Sequence, residues 1–375
     1  MRILVATGIY PPQIGGPATY SKLIYDELPK RGVEVEIASF GEFIDRPWGI
    51  RHALYFKSLL EKSTEVDLIY AQDPVSVGLP ALFVSQIRGK ALVVKIVGDY
   101  AWEQGRQRFA VTDSLDDFST QYDSYAWQVK LLKKIQKYVA DGATAIITPS
   151  EYLKSIITNW GVDSSKVAVI YNGFHMDKMD KTPSVLRRAL GLSGKVIVSV
   201  GRLVPWKGMT LLIEAFAQVR EVITDARLVI VGDGPEMDSL KSKVENLKLS
   251  DSVVFTGRLE QKKAFEYVKA SDVFALNTSY EGFSHQLLET MALGTPIVTT
   301  PVGGNVEVIR HEENGLLATL NDKDSFVREM SRLLSDDTFA SRLAKKAKKD
   351  VMAFTDSVML DRLAGFLKEI VSRNP

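Results

Sequence analysis

Two short stretches of this sequence carry charges of the types and at the spacing that phosphate handling needs. In VSVGRLVPWKG (198–208) an apolar run ends at Gly201, Arg202 follows at once, and Lys207 stands just before Gly208 and a helix-like segment. A guanidinium grips two phosphate oxygens as a fork, and an ammonium adds a point charge. At the mouth of a strand and beside a helix N-terminus, the pair suits a diphosphate; the plain alternative is a solvated turn. In SYEGFSHQLLETMALGTPIVTT (279–300), Glu281 and Glu289 flank an apolar run. A helix starting near Ser284 would place the amides of Phe283, Ser284 and His285 at its positive end, with Glu281 just outside and Glu289 about one and a half turns in. A carboxylate accepts paired hydrogen bonds from neighbouring hydroxyls, so two of them around a phosphate site suit a nucleotide sugar. The plain alternative makes Glu281 a helix cap and Glu289 a surface residue, yet Glu289 stands among Leu287, Leu288, Met291, Ala292 and Leu293.

Weaker signals accompany these. VGDGPE (231–236) and FTGRL (255–259) are strands emptying into glycine turns, able to bring peptide groups against a nucleobase or simply to turn. Gly15 and Gly16 in YPPQIGGPATY form a loop after the first apolar run. Asp73 and Asp99 each end an apolar segment, where a carboxylate serves either as a polar or acid/base group or as an N-cap. Neither G-x-G-x-x-G nor the Walker G-x-x-x-x-G-K-[ST] occurs, which argues against dinucleotide and P-loop readings.

The elements that must position these residues read as α/β. MRILVAT is a buried parallel strand; a helix near Ser21 to Lys30, a Gly32 stop and a second strand complete one βαβ unit. VDLIYAQD, ALVVKIVGD and ATAIITPS continue the alternation, with WQVKLLKKIQKYVADG as one of the helices between them. After Asn172-Gly173 the pattern restarts at KVIVSVGRLVPWKG. With 375 residues the chain is too long for one ordinary core. The boundaries expected are residues 1–172 for an N-terminal acceptor domain, 173–350 for a donor domain, and 351–375 for a helix returning to the first. Absence of Cys excludes disulfide and thiolate chemistry, and four scattered His offer no zinc spacing. A balance of 47 basic against 46 acidic residues gives no footprint for nucleic acid. No apolar run approaches the roughly 20 residues of a membrane span, and the expected location is the cytoplasm.

Taken in order, Gly15-Gly16, Asn172-Gly173, VGRLVPWKG, VGDGP, FTGRL, EGFSHQLLE with its E-x7-E spacing, ALGTPIV and VGGNVEVI resemble the retaining GT-B glycosyltransferases of family 4 across nearly the whole chain. The resemblance implies two Rossmann-like doubly wound parallel-sheet domains facing a central cleft. It implies that Arg202 and Lys207 hold the donor diphosphate beside Gly201, that Glu289 takes the ribose hydroxyls, and that Glu281 contacts the transferred sugar. Phe283, Ser284 and His285 would lie near sugar hydroxyls and phosphate, Arg258 and Leu259 beside the base, and Gly15 and Gly16 near the donor. The family needs no metal and no cofactor beyond its nucleotide-sugar donor. One departure stands out: many relatives carry His-Asp where this chain has Gly98-Asp99, so Asp99 would inherit the polar role.

The activity implied is transfer of a hexose from a nucleotide diphosphate sugar to a glycan, lipid-linked glycan or lipid hydroxyl. An epimerase of the same fold is disfavoured by the missing His, and a non-catalytic nucleotide-binding relative by the intact charged set. RPWGIRHALYFKSLLEKS and WQVKLLKKIQKY mix Trp, Tyr and Leu with Lys and Arg at helical spacing, as ordinary packing helices do and as segments of a peripheral membrane surface do.

Overall fold

A computed structural model describes residues 1–122, 124–176 and 179–373. The chain divides into two units: Met1–Gly173 with Asp356–Pro375, and Phe174–Thr355.

In unit 1 the strands are β1 (Arg2–Thr7), β2 (Glu34–Ser39), β3 (Leu68–Ala71), β4 (Ala91–Lys95), β5 (Ala145–Thr148) and β6 (Val167–Val169). They form one parallel sheet in the order β2-β1-β3-β4-β5-β6. Apolar residues occupy both faces of the central strands because helices cover both. Those helices are α1 (Gly16–Glu27), α2 (Trp48–Lys62), α3 (Gly78–Arg88), α4 (Tyr100–Arg108), α5 (Leu115–Thr120), α6 (Trp127–Gly142) and α7 (Glu151–Asn159). The first helix starts at Gly16 rather than near Ser21, because Pro17 falls in its first turn, where a missing N–H costs nothing. A 3-10 turn at Pro29–Arg31 then ends on Gly32 with φ 74°.

Unit 2 holds α8 (Pro183–Leu190), then β7 (Val196–Val200), α9 (Met209–Val222), β8 (Arg227–Val231), α10 (Met237–Asn246), β9 (Val253–Gly257), α11 (Gln261–Ala270) and β10 (Val273–Leu276). It continues through α12 (His285–Leu293), β11 (Ile297–Thr299), α13 (Asn305–Val308), β12 (Leu316–Leu317), α14 (Lys323–Ser335) and α15 (Asp337–Asp350). Its parallel sheet runs β12-β11-β10-β7-β8-β9, so the chain winds outward one way from β7 to β9 and the other way from β10 to β12. Phe216 of α9 and Phe326 of α14 are fully buried against Ile197, Leu228 and Val298. Truncating either ring to Ala would cost about 3–5 kcal/mol.

The last helix, α16 (Asp356–Arg373), belongs to unit 1, where Leu363, Leu367 and Ile370 pack with Ile24 and Leu28 of α1. Residues 351–354, counted with this helix in the sequence reading, form a separate 3-10 turn within unit 2. Among the described residues no helix is long and apolar enough to cross a membrane.

Candidate active site in unit 2

The strand order of unit 2 reverses between β7 and β10, and at such a switch point the loops leaving two neighbouring strands diverge and leave a crevice. From β7 come Gly201 and Arg202; from β10 comes the loop Asn277–Ser284 that leads into α12. The loops are tied together by backbone. Trp206 O accepts from Ser279 N at 2.8 Å and from Thr278 Oγ1 at 3.2 Å, while Gly208 O accepts from Asn277 Nδ2 at 3.0 Å. Gly208 has φ +56°, and a Cβ there would meet Asn277 Nδ2 at 2.4 Å, so both conformation and contact demand glycine. This stitching delivers Lys207 to Glu281, and their side chains form a largely buried ion pair.

Arg202 is exposed and forms no ion pair among the described residues. Beside it lies a depression of about 590 Å³ lined by Gly201, Arg202, Gly232, Gly234, Arg258 and Leu259 among others. That volume lies within the roughly 300–1,000 Å³ of small-molecule sites. Its floor is thin because two glycine turns stack: a Cβ on Gly232 would stand 1.8 Å from Gly201 O. Arg258 and Leu259 therefore come to the same depression as Arg202 and Gly201.

Helix α12 follows directly. Ser284 is its N-cap residue, but its side chain makes no capping bond, and its buried Oγ has no hydrogen-bond partner among the described residues. Buried hydroxyls and amides are nearly always paired, so such an atom is a candidate contact for a bound molecule or water. Gln286, two residues on, has the same feature: its buried Oε1 is unpaired, and its amide nitrogen would lie 3.4 Å from a Cβ on Gly201. Phe283 is buried against the Phe354 ring at 5.7 Å, while His285 is exposed at the first helical position. Glu289 sits just over one turn in. Its Oε1 accepts from Gln261 Nε2 at 3.0 Å, and burial pushes its carboxyl up to about 7 against the lowering effect of that bond. Among the described residues no group of three or more His, Asp or Glu is arranged to hold a metal ion.

Gly15, Gly16 and Asp99 lie in unit 1. Gly15 caps α1 and Gly16 opens it, with Gly15 O accepting from Thr19 N at 3.0 Å. The expectation for Asp99 as an available acid or base is corrected. Asp99 is fully buried: Oδ1 accepts from Trp102 N (2.9 Å) and Gln136 Nε2 (3.0 Å), and Oδ2 from Trp160 Nε1 (3.1 Å). It is the N-cap of α4 and a cross-link between α4, α6 and Trp160. Asp73 likewise spends its Oδ1 on the amides of Val75 and Ser76.

Three side chains escaped the sequence reading. Gln286 and Gln261 carry no local signal, since each matters through a neighbour far away in sequence. Lys95 did carry one: it is the cation inside the otherwise apolar ALVVKIV. It is buried, donates to Asn172 Oδ1 at 3.0 Å, lies 3.4 Å from the centre of the Tyr20 ring, and burial lowers its pKa to about 7.

Comparison with known proteins bears on the family and the fold. Residues 186–350 match the family described as glycosyl transferases group 1, and residues 14–178 match glycosyltransferase family 4. An uncharacterized glycosyltransferase of Methanocaldococcus jannaschii is 29% identical, with 94% of this chain and 93% of that protein covered. The alpha-monoglucosyldiacylglycerol synthase of Streptococcus pneumoniae is 26% identical over 80% of this chain and 70% of its own length. Among solved structures, Anabaena HepE in complex with UDP and glucose superposes with a TM-score of 0.76 at 22% identity, covering 98% of this chain and 100% of that one. Sucrose-phosphate synthase of Thermosynechococcus elongatus superposes with a TM-score of 0.78 at 19% identity, covering 99% of each.

Proposed function

We infer that this chain, which belongs to the glycosyltransferases of the GT-B type, moves a hexose from a nucleotide diphosphate sugar to an acceptor hydroxyl, with retention at the anomeric carbon and without a metal ion. The observation that carries this reading is an Arg202 that lines the depression with no ion-pair partner among the described residues, while Lys207, paired with Glu281, and Gln286 in the first turn of α12 both lie against Gly201 at its edge.

In the reaction, the donor diphosphate lies between Arg202, Lys207 and the first turn of α12. Arriving phosphate competes with Glu281 for the Lys207 ammonium, which frees the carboxylate to accept from hydroxyls of the sugar. Glu289 accepts from the ribose, and the base rests near Arg258 and Leu259. As the anomeric C–O bond breaks, negative charge grows on the leaving phosphate, and two fixed cations stabilise it there in the way a metal does elsewhere. The acceptor oxygen bonds to the anomeric carbon from the face the phosphate leaves, and its proton passes to a phosphate oxygen. No protein nucleophile takes part, so burial of Asp99 and absence of the His seen in many relatives leave the chemistry intact. The acceptor is a glycan or a lipid-borne hydroxyl. The diacylglycerol in the name of the Streptococcus relative favours the second.

A thermal-shift panel of UDP, GDP, ADP, dTDP and their hexose conjugates tests the reading. A ligand at about 100 times its dissociation constant adds about 2.7 kcal/mol of apparent stability, so one base should raise the melting temperature clearly. No shift with any nucleotide would contradict it.

A further inference from the structure

Helices α3 and α6 pack side by side on the unit 1 sheet, and their outer surfaces have a composition unusual for a water-facing layer. Helix α6 buries Val129, Gln136, Val139 and Ala140 and turns Trp127, Leu131, Lys134 and Tyr138 outward, at spacings of four, three and four. Trp127 is 69% exposed, Leu131 46% and Tyr138 50%. On α3, Phe83 and Ile87 are 41% and 63% exposed, and the Phe83 ring lies 6.5 Å from that of Tyr138, so the two helices share one apolar surface. From Trp127 to Tyr138 it runs about 16 Å, at roughly 1.5 Å per residue. Contiguous apolar surface of this kind marks an interaction site, whereas scattered exposed residues do not.

The charges on the two helices identify the partner. Five basic residues (Arg88, Lys130, Lys133, Lys134, Lys137) stand against one acid, Asp141, a net +4 in a chain whose total is +1. Lys137 and Asp141 pair with each other, and Lys133 is buried on the carbonyls of Phe118 and Gln121. Arg88, Lys130 and Lys134 are left without a carboxylate among the described residues. Aromatic rings at both ends of the stripe, aliphatic side chains between them and unpaired cations along it match an anionic membrane surface, where rings and methyl groups enter the headgroup layer and ammonium groups meet lipid phosphates.

We propose that the α3–α6 face of unit 1 docks on an anionic bilayer. Helix α2, which also mixes Trp with Arg and Lys, is the poorer match: its exposed Trp48 meets His52 edge-on at 5.1 Å, Arg51 lies over the Phe40 ring, and Lys57 is paired with Glu61. The docking rests on the proposed glycosyl transfer only for its purpose, since it would bring the enzyme to an acceptor embedded in lipid.

The test is co-sedimentation of the full chain with phosphatidylcholine vesicles, with and without phosphatidylglycerol, at low and high salt. Binding is expected only with phosphatidylglycerol and should weaken with salt. Each lysine removed should lower the partition coefficient about fivefold, so Lys130→Gln with Lys134→Gln should lower it about 25-fold. Trp127→Ala with Leu131→Ser should also release the protein, and both pairs should keep the wild-type melting temperature. Equal binding to neutral vesicles, no binding by the wild type, or undiminished binding by both variants would overturn the proposal. So would a wild-type dimer in light scattering that these variants abolish, for then the face meets a second copy. Because sedimentation needs no turnover, its outcome is independent of whether the transfer reaction is assigned correctly.

Discussion

The two units share a design and use it differently. Both wind a parallel sheet outward in two directions, unit 1 from between β1 and β3, unit 2 from between β7 and β10. In unit 1 the switch point is filled from within: Gln72 Oε1 accepts from Thr7 Oγ1 at 3.0 Å and from Ser21 Oγ at 2.8 Å, and the carboxylates of Asp73 and Asp99 are spent on caps and cross-links. Its loose end is Gln72 Nε2, which has no hydrogen-bond partner among the described residues. In unit 2 Arg202 stands at this place with no ion pair, and the buried Ser284 Oγ, Gln286 Oε1 and Asn277 Oδ1 have no hydrogen-bond partner among the described residues, while a depression floored by glycines opens beside it at the ends of β7, β8 and β9. Unpaired buried polar atoms are costly, of order 1–3 kcal/mol each, and their concentration beside Arg202 is what makes the unit 2 switch point the candidate site, whereas the unit 1 strand ends hold the fold.

The sharpest way to break this comparison is at the Lys207–Glu281 pair. Lys207→Ala removes a cation that acts on charge developing in the transition state, and turnover per folded molecule should fall about 100- to 1,000-fold; because Glu281 is left largely buried without its partner, the melting temperature should fall as well. Retention of near-normal transfer would show that the unit 2 cluster is not the reacting site.

A smaller effect comes from Glu289. Its carboxyl, ordinarily near 4.5, titrates near 7 because it is buried, so the folded chain holds a proton that the unfolded chain has released. Stability should therefore decline as pH rises from about 4.5 through 7. Nucleotide binding should move in the opposite sense, because the ionised form accepts the ribose hydroxyls. Between pH 6 and 8 the ionised fraction rises about tenfold, and the apparent Kd should fall by the same factor. Glu289→Gln should flatten that profile, and a wild-type Kd independent of pH over this range would remove Glu289 from the ribose.

The smallest effect on catalysis belongs to Asp99. In Asp99→Asn an amide N–H replaces the oxygen that accepts from Trp160 Nε1, so two donors face each other at about 3.1 Å. The cost should be about 1–3 kcal/mol of unfolding free energy, with turnover per folded molecule unchanged. A stable variant with lost turnover would restore Asp99 to catalysis and dissolve the contrast between the units.

These cases also show how far the chain could be read before folding. Strands were legible because apolar runs ending in glycine or a small polar residue are local features; Arg202 and Lys207 stood out because they follow such an ending, and Glu281 and Glu289 because they flank the start of an apolar helix. The sequence could not show that Asp99 is consumed, since that depends on Gln136 and Trp160, 37 and 61 residues away. Gln286 was hidden for the same reason: only the fold sets its amide against Gly201. The start of α1 was misplaced because Pro17 reads as a breaker until its position in the first turn is known.

The account rests on unit 2 holding the donor, and calorimetric titration of a nucleotide diphosphate into the wild type, Arg202→Ala and Asp99→Asn tests it most directly. Charge-assisted bonds from a guanidinium are worth about 1.5–3 kcal/mol, so Arg202→Ala should weaken binding by about 10- to 100-fold, whereas Asp99→Asn should bind as the wild type does. Undiminished binding by Arg202→Ala, with affinity lost in a folded Asp99→Asn, would contradict it.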